Sequence, residues 1–492
     1  MADPRAPGSV ASAARGSNLA LMTPRNGPAL VDEAVVAGVL SRALATGGDF
    51  AEVFAEDRRG TAVSLDDGRI EDLSTGRELG AGIRVISGET TGFAHTADLS
   101  ERGLLAAAEA ASGAARGGGG GVRQVALSRY PVVTPSPVEV LPATVAKADK
   151  VELLRRADAA ARASGGSVRQ VSASYSEGRR QLMVANSEGL LASDDQVRVR
   201  FAVSVVASGD TGMQTGTESV GATMGFEMFD RHDVDGMARA AARRALLKLQ
   251  ARPAPSGTLP VVIQRGSGGV LFHEACGHGL EADHIAKAVS VFAGRVGEQV
   301  ASPLVTLVDD GTMNHEWGAL AIDDEGHPTS RNVLIQDGVL TDYMWDWLRA
   351  RKEGRPAPAN GRRQSYQHLP MVRMTNTFVL GGDEDPDEIV RQTPYGVYVA
   401  QLGGGQVNTT TGDFVFGMTE AYLIEGGKLT EPIRDANLIG NGPQVLRDID
   451  AVGNDFAMGR PGTCGKQGQG VPVGMGQPTL RVRALTIGGT AH

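Results

Sequence analysis

The chain has 492 residues, 41% of them apolar and 4% aromatic, with 66 glycines and a net charge of −9. That length supports several domains with sizeable cores, and the acidic balance argues against nucleic acid or an anionic membrane as the main partner. No apolar run approaches the roughly 18 residues a membrane-spanning helix needs.

Met1–Ser9 has no basic cluster leading into an apolar stretch, so no secretory signal is expected. The two cysteines, Cys276 and Cys464, make no disulfide framework and suit a reducing, cytoplasmic setting. Residues 1–26, rich in Ala, Pro, Gly and Ser, read as a disordered extension.

A first α/β block is expected over 27–116. A helix from Pro28 to Ala45 closes at Gly47-Gly48. Short strands follow at Phe50–Ala55, Thr61–Leu65, Arg69–Leu73, Gly80–Ile86 and Thr90–His95, with Asp66-Asp-Gly68 as a hairpin turn. Leu99–Ala115 reads as a second helix. A Gly/Pro-rich linker over 117–140, including the run Gly117–Gly121, leads to a middle α/β block over 141–251.

There Thr144–Ala163 is helical, with Val151 and Leu154 facing inward. Strands are expected at Val168–Ser174, Gln181–Asn186, Leu190–Ser193 and Val197–Ala207, and a helix at Arg231–Leu249. Asn186-Ser-Glu-Gly189 plays the turn role of Asp66-Asp-Gly68, as in two diverged copies of one unit. Ala251–Gly257 reads as a hinge.

The third block, 258–492, is strand-like and turn-rich, with helical patterns at Asp342–Arg351 and Pro386–Gln392. It predicts a mostly β domain, barrel-like or sandwich-like, with one functional helix packed across it, and an α+β fold overall. The acidic turns Asp309-Asp310 and Asp323-Asp-Glu325 lack EF-hand spacing and read as solvated turns. His95 reads as structural, and His232, His315, His327 and His492 as exposed.

The chemistry concentrates in Leu271-Phe-His-Glu-Ala-Cys-Gly-His278. Two imidazoles can hold a divalent cation, and the carboxylate of Glu274 can serve as base for the attack of water on a peptide carbonyl. His273 and His278 are five residues apart, roughly 140° around an ideal helix and too far to share one ion. A π-bulge yielding at Gly277 is expected to close the gap.

Cys464, in Gly462-Thr-Cys-Gly-Lys466, offers a thiolate as third ligand for zinc or a similar ion. Glu281 and His284 are its rivals. His284 lies six past His278, the second step of metzincin motifs, but the first step of that pattern and its midway glycine are missing. Cys276 reads as a small buried residue. Tyr366 and His368 suit either oxyanion stabilisation or loop packing. Gly403, Gly404 and Gly405 lack the helix and lysine of a phosphate loop, and suit close approach of a peptide backbone as an added strand.

HEACGHGLEAD (273–283), VDDGTM (308–313), AIDDEG (321–326), NGRRQSYQHLP (360–370), MTNT (374–377), GGGQV (403–407) and CGKQGQGVPVGMGQPTL (464–480) resemble, in order, the motifs of the TldD branch of the TldD/PmbA peptidase family. The likeness is weaker over the amino-terminal half. It implies a metallopeptidase acting on unfolded or extended peptides with low sequence specificity. His273 and His278 match its histidine ligands, Glu274 its catalytic glutamate and Cys464 its third ligand, around one divalent transition metal such as zinc.

The resemblance also implies a dimer, with a PmbA (TldE)-like subunit or with a second copy. The PmbA branch lacks the metal motif, so the alternative is a non-catalytic scaffold subunit of such a complex. The intact His-Glu-His set speaks against that, since a scaffold has no use for Glu274. A nucleophilic Cys464 paired with His368 has no supporting local signature.

Overall fold

The computed structural model describes residues 29–115, 123–408 and 410–490. The expected extension over 1–26, the run 117–121 and His492 lie outside them. Helix α1 (Glu33–Ala43) starts where the Asp32 carboxylate accepts from the Ala34 amide, satisfying one of the free donors of a helix start. Strands β1 (Phe50–Asp66) and β2 (Arg69–Ser87) form one long antiparallel hairpin, turning at Asp67-Gly68, both at positive φ, as two-residue hairpins prefer.

After β3 (Thr90–Thr96), α2 (Glu101–Ala115) and the two-residue β4 (Ser128–Arg129), the pattern repeats. Helix α3 (Lys147–Arg162), strands β5 (Val168–Asn186), β6 (Leu190–Gly209) and β7 (Gly212–Ala222), the single turn α4 (Met228–Arg231) and helix α5 (Val234–Gln250) complete it. β1 pairs with β5 from Glu52 to Asp66, so both blocks share one sheet, ordered β3-β2-β1-β5-β6-β4 with β7 also on β6.

The short strands expected from the sequence are thus halves of longer ones. Arg58-Arg59-Gly60 in β1 and Ser176–Arg180 in β5 interrupt the apolar pattern, but ladder bonds join backbone groups and run through them. All four long helices cover one face of the sheet. Val53 and Ala55 pack under α1 and α2, while Val63 and Leu65 pack under α3 and α5.

The opposite face meets the carboxy-terminal domain. There the strand Gly257–Ile263 enters a five-stranded barrel closed by Tyr395–Val407, Asp413–Glu425, Asn437–Asn441 and Leu480–Gly488. A second sheet joins Arg331–Gln336, Leu307–Asp310, Asn376–Val379 and Gln469–Gln477. Helix α6 (Gly269–Ala275) packs Leu271 and Phe272 into the shared core. The helix expected over 342–351 forms only at Trp347–Lys352, because Asp346 caps it there by accepting from the Arg349 amide. Among the described residues no helix is long and apolar enough to cross a membrane.

The acidic turns are buried, not solvated. Glu325 accepts from Arg84 at 2.8 Å and from the Trp347 amide at 2.7 Å. Asp324 accepts from Arg180 at 2.8 Å, and Asp323 from the Gly361 amide at 3.0 Å. Across the domain boundary Arg363 reaches Glu52, which also takes Arg84 of its own sheet, while Glu56 takes Arg180. His232, His315 and His327 are half-buried rather than exposed.

Removing one partner of a buried ion pair costs about 3–5 kcal/mol, because the other charge stays buried alone. Arg84→Ala should therefore lower the unfolding free energy by about that much in a denaturant titration. Arg42→Ala, which breaks only the exposed pair with Glu109, should change it by less than about 1 kcal/mol. Equal effects would mean the buried network carries no more than a surface pair.

Candidate metal centre

Helix α6 presents His273 and Glu274 and ends at Cys276, where φ is −125° and ψ −50°. A 3₁₀ turn over Gly277–Leu280 follows. The expected π-bulge is absent; the helix breaks instead, and the tighter turn swings His278 back until the two imidazole centroids are 5.1 Å apart. Gly277 serves contact rather than bending, since a Cβ there would collide with Met374 Sδ.

Cys464 arrives on a separate hairpin, Gly462–Lys466 against Gln469–Gln477, which turns at Gln467-Gly468 with both residues at positive φ. The hairpin is rich in glycine, and Cys464 on it is buried. The candidate ligand atoms of His273, His278 and Cys464 lie within 4.8 Å of one another, with Cys464 Sγ 3.3 Å from His278 Nε2. His273 is fully buried, and neither of its ring nitrogens has a hydrogen-bond partner among the described residues. A buried polar atom left unpaired is costly, so this ring points to a ligand from outside the chain.

The protonation chemistry fits a cation. Burial would raise the Cys464 thiol, but the His273 and His278 imidazoles pull it down to about 4. His278 is raised well above its ordinary value against its burial, by Glu281 and Cys464. Both shifts favour the charged forms, thiolate at Cys464 and imidazolium at His278, and a divalent ion would take the place of the proton between them. Two nitrogens and one thiolate suit zinc or a similar ion and leave a fourth position for water.

The rival ligands stand behind the trio. Glu281 accepts from His278 Nδ1 at 3.0 Å and from Lys466 Nζ at 2.8 Å. That contact turns Nε2 of His278 towards Cys464, as a supporting carboxylate does in metal sites. Despite burial, His278 and Lys466 hold the Glu281 carboxyl at about 2. His284 Nδ1 meets the His278 carbonyl at 2.9 Å and groups with Glu281 and Asp283. That second cluster has a cation already, since Lys466 also donates to Asp283 at 2.7 Å.

Lys466 thus fastens the Cys464 hairpin to the segment after His278, a role that sequence reasoning missed. A lysine two residues after a candidate thiolate, with two acids just past the second histidine, was the available signal. Buried Arg373 adds a second clamp, donating to the carbonyls of Cys464 and Gln469. Buried Asp309 gathers the Thr375 amide and hydroxyl, the Thr377 hydroxyl and Asn360 Nδ2, all at 2.7–2.8 Å. The motifs around 309, 360 and 375 are therefore one polar scaffold behind the hairpin.

Glu274 is partly open to solvent, its side chain 32% exposed and its carboxylate 3.8 Å from His278 Nε2. Cys276 is buried, and burial pushes its thiol far up, so it is an unreactive packing group. Tyr366 and His368 are not brought to the trio. Tyr366 packs edge-on against His95 at 6.0 Å, in a cluster with Phe54 and Val184, and His368 Nδ1 meets Ser365 Oγ at 2.9 Å. Gly403 and Gly405 lie on a bulged barrel strand where a Cβ would crowd Thr419 and Phe416; Gly404 has open space.

Sequence profiles of PmbA/TldA metallopeptidases match three stretches of the chain: domain 1 over residues 51–115, the central domain over 141–249 and the C-terminal domain over 256–489. The metalloprotease TldD homolog of Haemophilus influenzae is 42% identical over 456 residues, covering 90% of this chain and 93% of its own. A metalloprotease of Methanothermobacter thermautotrophicus is 36% identical, covering 90% and 96%. Among solved structures, TldE from Thermococcus kodakarensis shares the fold with a TM-score of 0.73 at 20% identity, over 92% of this chain and 99% of that one. The chain belongs to the PmbA/TldD family of metallopeptidases, as a member of the TldD type.

Proposed function

We propose that the chain hydrolyses unfolded or extended peptides with low sequence preference, using one divalent transition ion held by His273, His278 and Cys464. The observation that carries this reading is the buried, unpaired His273 ring, grouped with His278 and Cys464 and next to the partly open Glu274. Bound there, zinc would supply a Lewis acid that polarises the scissile carbonyl and acidifies water. Glu274 takes a proton from the attacking water and returns it to the leaving amine. Glu281 holds His278 in the tautomer that leaves Nε2 free.

The three ligands are buried and only Glu274 reaches solvent, which favours a narrow, extended substrate over a folded surface. Gly404, with open space beside it, offers backbone for an added peptide strand. The protein works in a reducing, cytoplasmic compartment that keeps Cys464 a thiolate, and pairs with a PmbA/TldE-like subunit or with a second copy.

The test is one small protein offered in two forms, natively folded and held unfolded by mutation, with the candidate partner subunit present. The unfolded form should be cleaved and the folded form left intact, because a folded chain has its backbone groups already paired. Equal rates on the two forms would overturn the substrate reading. No turnover of either would favour the scaffold alternative.

A further inference from the structure

A second recess lies between the helix-free face of the amino-terminal sheet and the carboxy-terminal domain, with a volume of about 750 Å³. Its floor is unusual. Gly60 of β1 pairs with Gly76 of β2 on one side and with Gly178 of β5 on the other, and Gly178 pairs with Arg198 of β6. Three glycines thus stand in register across three strands, with an arginine at the end of the row.

None of the three is at positive φ. A Cβ at Gly76 would meet nothing within 4 Å, and one at Gly178 nothing nearer than 3.9 Å. Neither backbone geometry nor packing calls for glycine at those two positions, and glycine weakens a strand. What the row provides is a bare strip on which another backbone can lie.

The walls are cationic. Arg198 donates to the Trp317 and Ala319 carbonyls at 3.1 and 3.0 Å and to the Gln196 side chain at 3.0 Å. Arg362, facing it from the other domain, donates to the Met374 and Pro472 carbonyls. Among the described residues neither has a carboxylate within ion-pair distance, unlike Arg180 and Arg363 beside them. Burial, then the charges of Arg362 and Arg180, draws Arg198 down to about 9 against the pull of Asp194 and Asp324; burial draws Arg362 down to about 10, with the Arg373 charge adding to it and Asp324 opposing it. Both remain cations at neutral pH, confined together with Asp194, Asp309 and Asp324 nearby but no carboxylate in direct ion-pair contact among the described residues. A carboxylate between them would relieve that repulsion and accept charge-assisted hydrogen bonds.

We propose that this recess binds an extended peptide across Gly76, Gly60 and Gly178, with a carboxylate of that peptide seated between Arg198 and Arg362. The inference rests on the peptidase reading and narrows it, making one carboxylate, of the peptide's terminus or of an acidic side chain, the single feature selected in an otherwise sequence-tolerant substrate. The recess reaches Gly470–Pro472 on the hairpin that carries Cys464, so a chain held there is tethered beside the metal centre. The carboxylate is supplied by a Glu or Asp side chain or by the peptide's own terminus.

The test measures binding of a labelled unstructured peptide to the metal-loaded Glu274→Gln protein by fluorescence anisotropy, so that turnover plays no part. Three versions are compared: glutamate-containing with a free terminus, the same with each Glu replaced by Gln, and the same with an amidated terminus. The version lacking the recognised carboxylate should bind about 10- to 100-fold more weakly, as expected for lost hydrogen bonds to a charged group, and the arm that weakens names the source. Added salt should narrow the gap.

Arg198→Gln should abolish the preference. Gly76→Ile fills the strip with a good strand former where a side chain has room, so it should fold and keep its metal yet lose peptide affinity. Equal binding of all three versions, or undiminished binding by a folded Gly76→Ile protein, would overturn the proposal. If wild type still cleaves peptides in that case, the peptidase reading stands without it.

Discussion

Replacing Glu274 with glutamine should reduce peptide turnover by about 10²- to 10⁴-fold, the usual worth of general-base catalysis, and leave the bound ion in place. Glutamine keeps the size of the side chain, and no hydrogen bond of the trio passes through Glu274, whose carboxylate lies 3.8 Å from His278 Nε2. Because the side chain is partly exposed and makes no buried ion pair, the unfolding free energy should move by no more than about 0.5 kcal/mol. Metal content by elemental analysis and turnover of an unfolded substrate, with the partner subunit supplied, make the comparison. Near-normal turnover would remove Glu274 as the base. Lost metal would make it a ligand instead.

Ligand chemistry is carried by residue type, so His273, Glu274, His278 and Cys464 stand out in the sequence as candidates, and the fold brings His273, His278 and Cys464 together although Cys464 is remote along the chain. How they meet could not. A five-residue step admits either a widened helix or a broken one, and the choice falls on packing of Gly277 against Met374, which no local pattern encodes. Strand lengths failed for a related reason. Period-2 patterning reports burial, and β1 passes from the helix-covered core at Val53 through the polar Arg58–Gly60 to the core again at Val63. The acidic turns were misjudged because Asp323-Asp-Glu325 has the same text in water as against Arg84 and Arg180, which come from a different domain. Of the two roles open to Tyr366 in the sequence, its surroundings fit packing, with the ring beneath β2 and edge-on to His95.

The metal itself should depend on Cys464 as strongly as on the histidines. His273→Ala is the cleanest removal, since no hydrogen bond within the protein is lost with that ring, whereas His278→Ala would also strip Glu281 of a partner. The His273→Ala protein should purify without the ion, and its melting temperature should no longer fall on treatment with a chelator. Wild type should fall on chelation to nearly the same level, because an ion that binds only the folded state stabilises it by mass action. Cys464→Ser should also lose the ion, a hydroxyl being a much poorer ligand for zinc than a thiolate. Glu281→Gln separates the competing assignments. Glu281 is engaged by His278 and Lys466, so its loss should weaken metal binding by about 10- to 100-fold, as for other supporting carboxylates, without abolishing it. Full metal in Cys464→Ser together with none in Glu281→Gln would transfer the third ligand from the thiolate to the carboxylate.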